Sequence, residues 1–141
     1  VPAYRPEELS LLAARQAQVR QNGRRVDGRA GFLVTVHPAE PVVVSFHGEL
    51  TIKEAPQLRD SLLAAIRAGG QLVVVDFSDV SFVDQSAMGV LIGARARLVR
   101  GGGDLRLAGL QPKVARVVGL VGGNLPVYPT VAAAVADPLA P

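Results

Sequence analysis

Side chains able to do chemistry are few in this chain, and most of them lie in one short stretch. Asp76, Asp79 and Asp84 are followed at once by Gln85 and Ser86, while His37 and His47 are the only imidazoles. General acid–base catalysis needs a proton-transferring group held by an orienting partner. The three aspartates have no histidine beside them, and His47 stands next to Gly48 in a β-rich run with no evident acid partner. It reads as a packed or half-exposed strand residue. Two histidines do not make a metal centre, and the absence of cysteine removes disulfides, thiolate ligands and a cysteine nucleophile. Gly101-Gly102-Gly103 precedes a strand-like run, so the strand, glycine loop and helix order of a phosphate cradle is missing. No reaction class and no cofactor follow, and the chain is expected not to be an enzyme.

The elements that must position the aspartates are legible from periodicity. Phe32–Val36 and Val42–Phe46 are β-rich runs around His37-Pro38-Ala39-Glu40-Pro41, which predicts an antiparallel hairpin. Pro56 opens a helix whose Leu58, Leu62, Leu63 and Ile66 recur at helical spacing before Gly69-Gly70. Leu72–Val75 is a continuous branched run, as expected of a strand covered on both faces. A second helix starts near Ser86, with Met88, Leu91, Ile92 and Val99 expected inward and Gly89 and Gly93 expected to allow close packing on the sheet. Strand Leu105–Ala108, helix Pro112–Leu120, strand Pro126–Tyr128 and helix Val131–Ala136 complete the order. Alternating strands and helices predict an α/β fold: a mixed, mostly parallel sheet with an antiparallel first pair and helices packed on it.

The chain, of 141 residues, suits one compact unit, and no run approaches the roughly 20 apolar residues of a bilayer span. No signal peptide is recognisable, so the expected location is cytoplasmic, with no membrane partner. The first residue is Val1, which leaves a trimmed, a processed and an excised chain all open. Charge is uneven. Residues 1–30 hold Arg5, Arg15, Arg20, Arg24, Arg25 and Arg29 against Glu7, Glu8 and Asp27, whereas the remainder is balanced within a net charge of +3. With one or two aromatic residues at most near that basic arm there is no stacking platform, and direct nucleic-acid binding is not expected. Pro6 to Gln21 reads as an N-terminal helix and Asn22 to Gly31 as a linker. The expected division is residues 1–30 as helix and basic linker, 31–137 as the folded domain and 138–141 as a tail.

The stretch Val73-Val74-Val75-Asp76-Phe77-Ser78-Asp79-Val80-Ser81-Phe82-Val83-Asp84-Gln85-Ser86-Ala87-Met88-Gly89-Val90-Leu91 resembles the signature of the STAS domain, shared by sulphate transporters and bacterial anti-sigma factor antagonists. Gly48-Glu49-Leu50-Thr51, Ala55-Pro56-Gln57-Leu58, Gly103-Asp104-Leu105-Arg106-Leu107 and Val127-Tyr128 fall where the family has matching segments. In the antagonist branch the resemblance implies partner switching: the domain binds an anti-sigma factor that is also a serine kinase of the ATPase type, and phosphorylation ends the binding. The implied partner surface is Asp84, Gln85, Ser86, Ala87 and Met88 together with the neighbouring Gly48, Glu49 and Thr51 loop.

The family acceptor is a serine or threonine directly after the aspartate matched by Asp84, and here that position is Gln85. An amide has no hydroxyl to phosphorylate, so the switch is expected to be absent or moved to Ser86. Thr51 also replaces a common aspartate, and Ala87-Met88 a Gly-Leu pair. Physically a phosphate suits a helix N-terminus, and its charge of about −2 disrupts an interface. The plainer reading of Asp84 and Ser86 is helix capping, and Thr51-Ile52-Lys53-Glu54 fits a capping box. Asp76 ends an apolar run, as a receiver's phosphoacceptor does, but lacks the acidic pair and lysine that chemistry needs. The competing functional class is a structural or sensory STAS module of a larger assembly or longer chain, with the N-terminal helix serving oligomerisation and the oligomeric state left open.

Overall fold

The computed structural model describes residues 33–37, 41–68 and 70–139. The expected N-terminal helix and basic linker lie outside the described residues. Strands β1 (Leu33–His37), β2 (Val42–Leu50), β3 (Leu72–Val83), β4 (Asp104–Ala108) and β5 (Val127–Tyr128) alternate with helices α1 (Ala55–Arg67), α2 (Gln85–Arg100), α3 (Pro112–Val121) and α4 (Val131–Ala136). The strands form one sheet in the order β1-β2-β3-β4-β5. β1 runs antiparallel to β2, and every later pairing is parallel.

Strand order that follows chain order, with crossovers of the usual right hand, carries each crossover helix to the same side of the sheet. The packing has that arrangement. Leu58 and Leu62 of α1, Met88 and Leu91 of α2, and Val114 and Val118 of α3 share one core with Val42, Val44, Val73, Val75, Leu105 and Leu107. The intervening residues Val43, Val74 and Ala108 point to the other face, where Ala134 and Val135 of α4 cover them. The branched run of β3 is thus apolar on both sides because both sides are covered.

Two strands outrun their expected ends. β2 continues to Leu50, which makes Gly48 and Glu49 strand residues rather than loop, and β3 continues through Ser78, Asp79 and Ser81 to Val83. The polar residues of β3 broke the apolar pattern without breaking the ladder, since backbone pairing with β2 persists to Leu50↔Val83. Helix α2 is also turned relative to expectation. Its buried residues are Ala87, Met88, Leu91, Ala94 and Leu98, while Ile92 and Val99 remain 41% and 48% exposed. Leucine or isoleucine at 91–92 and leucine or valine at 98–99 leave the apolar stripe ambiguous by one residue, about 100° of helix. Alanines decide it, since they let the helix approach the sheet. Gly89 and Gly93 consequently face away from the sheet, with no atom within 4 Å of where a Cβ would sit.

Helix α2 stops at a glycine turn. The Gly103 N–H bonds to Leu98 O at 2.8 Å and the Gly102 N–H to Val99 O at 3.0 Å, the paired bonds of a Schellman closure, with Gly102 at φ +88. A Cβ on Gly103 would lie 2.0 Å from Gln71 O, so the chain passes too close to the start of β3 for any side chain. Arg95 then ties α2 to β4 through Asp104 at 2.9 Å.

On the α4 face one cation is buried. Arg106 donates from Nη1 to Ala134 O at 2.8 Å and to Asp137 O, and from Nη2 to Pro138 O at 3.1 Å. Its guanidinium lies 5.4 Å from the Tyr128 ring centroid, and its Nε is 3.7 Å from Asp104, close enough for charge compensation without a hydrogen bond. These carbonyls lie at the end of a short helix, where a cation is doubly favoured by hydrogen bonding and by the dipole. Arg106→Ala is therefore expected to destabilise the fold by about 2–4 kcal/mol in urea denaturation, with amide protection in α4 lost first.

Tyr128 donates a short hydrogen bond to Asp137. Burial and this bond push its phenol above the ordinary value, and Arg106 offsets only part of that. The neutral phenol is the form the fold prefers. Its contribution is complete below the unfolded value near 10 and is lost as pH rises through the folded value. Melting curves of the wild type are expected to fall faster above about pH 10 than those of Tyr128→Phe.

Candidate functional site

The junction between β3 and α2 is built around Asp84. Its backbone is extended while Gln85 begins the helix, and its Oδ1 accepts from the Ala87 N–H at 3.0 Å, an N-cap. Its Oδ2 accepts from the Ile52 N–H at 2.9 Å, and its own N–H donates to Leu50 O at 3.1 Å. One carboxylate thus joins the start of α2 to the turn between β2 and α1, with each oxygen accepting from a backbone amide.

The turn itself is closed from within. Thr51 Oγ1 donates to Glu54 Oε1 at 2.8 Å, the Thr51 N–H donates to the same oxygen at 2.9 Å, and Lys53 N–H donates to Thr51 Oγ1 at 3.3 Å. The capping-box residues therefore lock the turn that precedes α1, and the helix starts at Ala55 with Pro56 in its first turn. Gly48 enters this region at φ +100, between two register shifts of the β2–β3 ladder. A β-bulge at that conformation accepts glycine and strains other residues.

Of the residues expected at a partner surface, the structure exposes Glu49 and Gln85 and leaves Gly48, Thr51, Asp84 and Ser86 half-buried. Ala87 and Met88 are corrected. They are 0% and 1% exposed, because the first turn of α2 directs them into the core, and they offer nothing to another molecule. Two apolar residues that the sequence reading passed over take their place. Ile52 is 68% exposed on the turn bonded to Asp84, and Phe82 is 42% exposed two residues before it, opposite Glu49. Ile52 had a signal, as the one large apolar side chain in Thr51-Ile52-Lys53-Glu54.

Elsewhere the structure contains little that could react. Asp76 is buried and accepts from the Ser78 N–H at 3.0 Å and from Ser45 Oγ at 3.4 Å, so its carboxylate is a structural acceptor closed off from solvent. His47 is exposed on β2. No group of three or more histidine and acidic side chains able to hold a metal ion exists among the described residues. No helix among them is long and apolar enough to cross a membrane.

Comparison with known proteins agrees with this fold. The family model described as STAS domain matches residues 33–134. The anti-sigma-B factor antagonist of Bacillus subtilis (strain 168) is 30% identical over 81 residues, covering 57% of this chain and 73% of that protein. The crystal structure of an anti-sigma factor antagonist from Mycobacterium paratuberculosis aligns with a TM-score of 0.64 at 26% identity, over 74% of this chain and 89% of that one. The Bacillus cell fate determinant SpoIIAA in its phosphorylated form aligns with a TM-score of 0.56 at 25% identity, over 74% of this chain and 96% of that one.

Because Asp84 holds two backbone donors, Asp84→Ala is expected to cost about 1–2 kcal/mol in chemical denaturation. Hydrogen exchange should accelerate selectively at the Ala87 and Ile52 amides. Asp84→Asn, which keeps one acceptor, should lose less.

Proposed function

The chain belongs to the STAS domain family, and on that premise we propose that it is an anti-sigma factor antagonist acting by partner switching, a binding protein rather than an enzyme. The observation that carries this reading is the composition of the β3–α2 junction. Ile52 and Phe82 present apolar surface on a turn and strand end held rigid by Asp84, with Gln85 and Glu49 exposed beside them. Exposed apolar side chains on a fixed backbone are what a protein interface uses as anchors, since little ordering entropy remains to be lost on binding.

The partner suggested by the named relatives is an anti-sigma factor, and the family resemblance implies one of the ATPase and serine-kinase type. Control by phosphate differs here from the family habit. Gln85 occupies the acceptor position and carries no hydroxyl, so phosphate cannot attach there, and Ser86 is the hydroxyl next in line. At the second residue of α2 a phosphate on Ser86 would meet free backbone N–H groups and the positive end of the helix dipole. Added charge of about −2 beside Ile52 and Phe82 would oppose docking of an apolar partner surface.

Pull-down and titration against ATPase-type anti-sigma factors test the reading. Binding is expected for the wild type and is expected to fall at least about tenfold in Ile52→Asp and Phe82→Asp, a typical loss for a central anchor. After incubation with the cognate kinase, mass spectrometry should find phosphate on Ser86 or nowhere in the 84–88 segment, and Gln85→Ser should gain a second acceptor. Equal failure of the wild type and Gln85→Ser to bind any such factor would remove the antagonist reading.

A further inference from the structure

A second surface lies beyond the junction. Helices α1 and α2 enclose a groove of about 540 Å³ that starts at Ser86 and runs along Gly89 and Gly93 to Arg97 and Arg100, with Arg59 entering from α1. From Ser86 to Arg100 is about 21 Å at 1.5 Å per residue, so the groove is long and open rather than compact. Leu62, Leu63 and Val90 give it an apolar lining between the charges.

Two features of the groove are unexplained by the fold. Glycine inside a helix lowers stability relative to alanine, and in exchange it lets another chain approach the helix backbone closely. Gly89 and Gly93 are helical, exposed and four residues apart, and nothing in the described protein lies within 4 Å of a Cβ at either position. Their smoothness serves no packing within the described residues. The second feature is charge. Arg59, Arg97 and Arg100 line the groove, no acidic residue does, and none of the three forms an ion pair among the described residues. Arg97 and Arg100 sit in the last turn of α2, where the helix dipole favours them, but Arg59 lies in the first half of α1 and has no such role.

We propose that this groove is a docking site for an acidic amphipathic helix of a partner protein. Such a helix lays its small or apolar face over Gly89 and Gly93 and against the half-buried Leu63 and Val90, with Leu62 forming the floor beneath, and directs Glu or Asp to Arg59, Arg97 and Arg100. Guanidinium groups pair with carboxylates in two parallel hydrogen bonds, which sets register along the groove. The length decides for a helix over a small anion: about 21 Å matches roughly fourteen helical residues, whereas a phosphate or nucleotide would engage only one end.

The test is an NMR titration of the whole 15N-labelled chain with an acetylated, amidated peptide of about fourteen residues, built of Glu, Leu and Ala at helical spacing to match the groove length. Amide shifts are expected along residues 86–100 and 59–63, weakening as salt is raised to about 0.5 M. Gly93→Leu should remove them while melting no lower than the wild type, because the substitution fills the groove and raises helix propensity. The Arg59→Ala, Arg97→Ala, Arg100→Ala triple variant should lose about tenfold or more in affinity. Equal binding of a Lys-for-Glu peptide, unchanged binding by Gly93→Leu, or silence with the Glu peptide at millimolar concentration overturns the proposal. So does ATP or inorganic phosphate giving the shifts when the peptide does not. Ile52→Asp should leave the peptide shifts intact, so failure of the junction and failure of the groove are read separately.

Discussion

The bonding of Asp84 is the constraint on which the functional end of the molecule depends. A carboxylate at the start of a helix ordinarily satisfies one or two amides of that helix. Here one oxygen does so and the other reaches across to the Ile52 amide, while the backbone of Asp84 completes the β2–β3 ladder at Leu50. Two segments far apart in the chain are thereby held as one rigid surface. The same arrangement gives this acid a structural role, since both of its oxygens hold backbone amides.

The two faces of the sheet are not equivalent. The strand side chains under α1, α2 and α3 are apolar, whereas the buried polar residues of the strands, Ser45, Asp76 and Arg106, lie on the α4 side with Val43, Val74 and Ala108, and buried Glu54 sits in the turn before α1. One face is held chiefly by contact area, with the Arg95–Asp104 pair at its margin. The other carries directional bonds, with Arg106 fastening the carbonyls that follow α4. A six-residue helix has too few turns to hold its place by packing, and the guanidinium supplies what area cannot.

Much of this was readable from the sequence, and the failures have common physical origins. The element order, the coverage of Leu72–Val75 on both faces and the span of α4 followed from periodicity and glycine or proline punctuation. The family resemblance rested on the residues around Asp84, and the cap that Asp84 makes is the plainer role the sequence also allowed. Periodicity misled where apolar residues sat on two adjacent stripes, as at Leu91-Ile92 and Leu98-Val99, and where small residues did the packing. Ala87 and Met88 were assigned to the surface because a motif position says nothing of side-chain direction. Arg106 was invisible as a clamp, since a charged residue between two leucines in Leu105-Arg106-Leu107 looks like an ordinary solvent-facing alternation. Phe82 has no local signal, because exposure of an apolar side chain depends on what fails to cover it, whereas Ile52 stands out as the one large apolar side chain of a polar turn.

The strand order that runs through the sheet without permutation bears on how the chain comes to be folded. Each parallel strand is added beside the one made just before it, so growth proceeds at a single edge and no strand has to be inserted between neighbours already paired. Closing contacts between adjacent βα units keeps the separation of partners small and the search correspondingly quick. During synthesis the β1–β2 hairpin and the first βαβ unit can assemble while the remainder is still within the ribosome, with growth confined to the edge opposite β1.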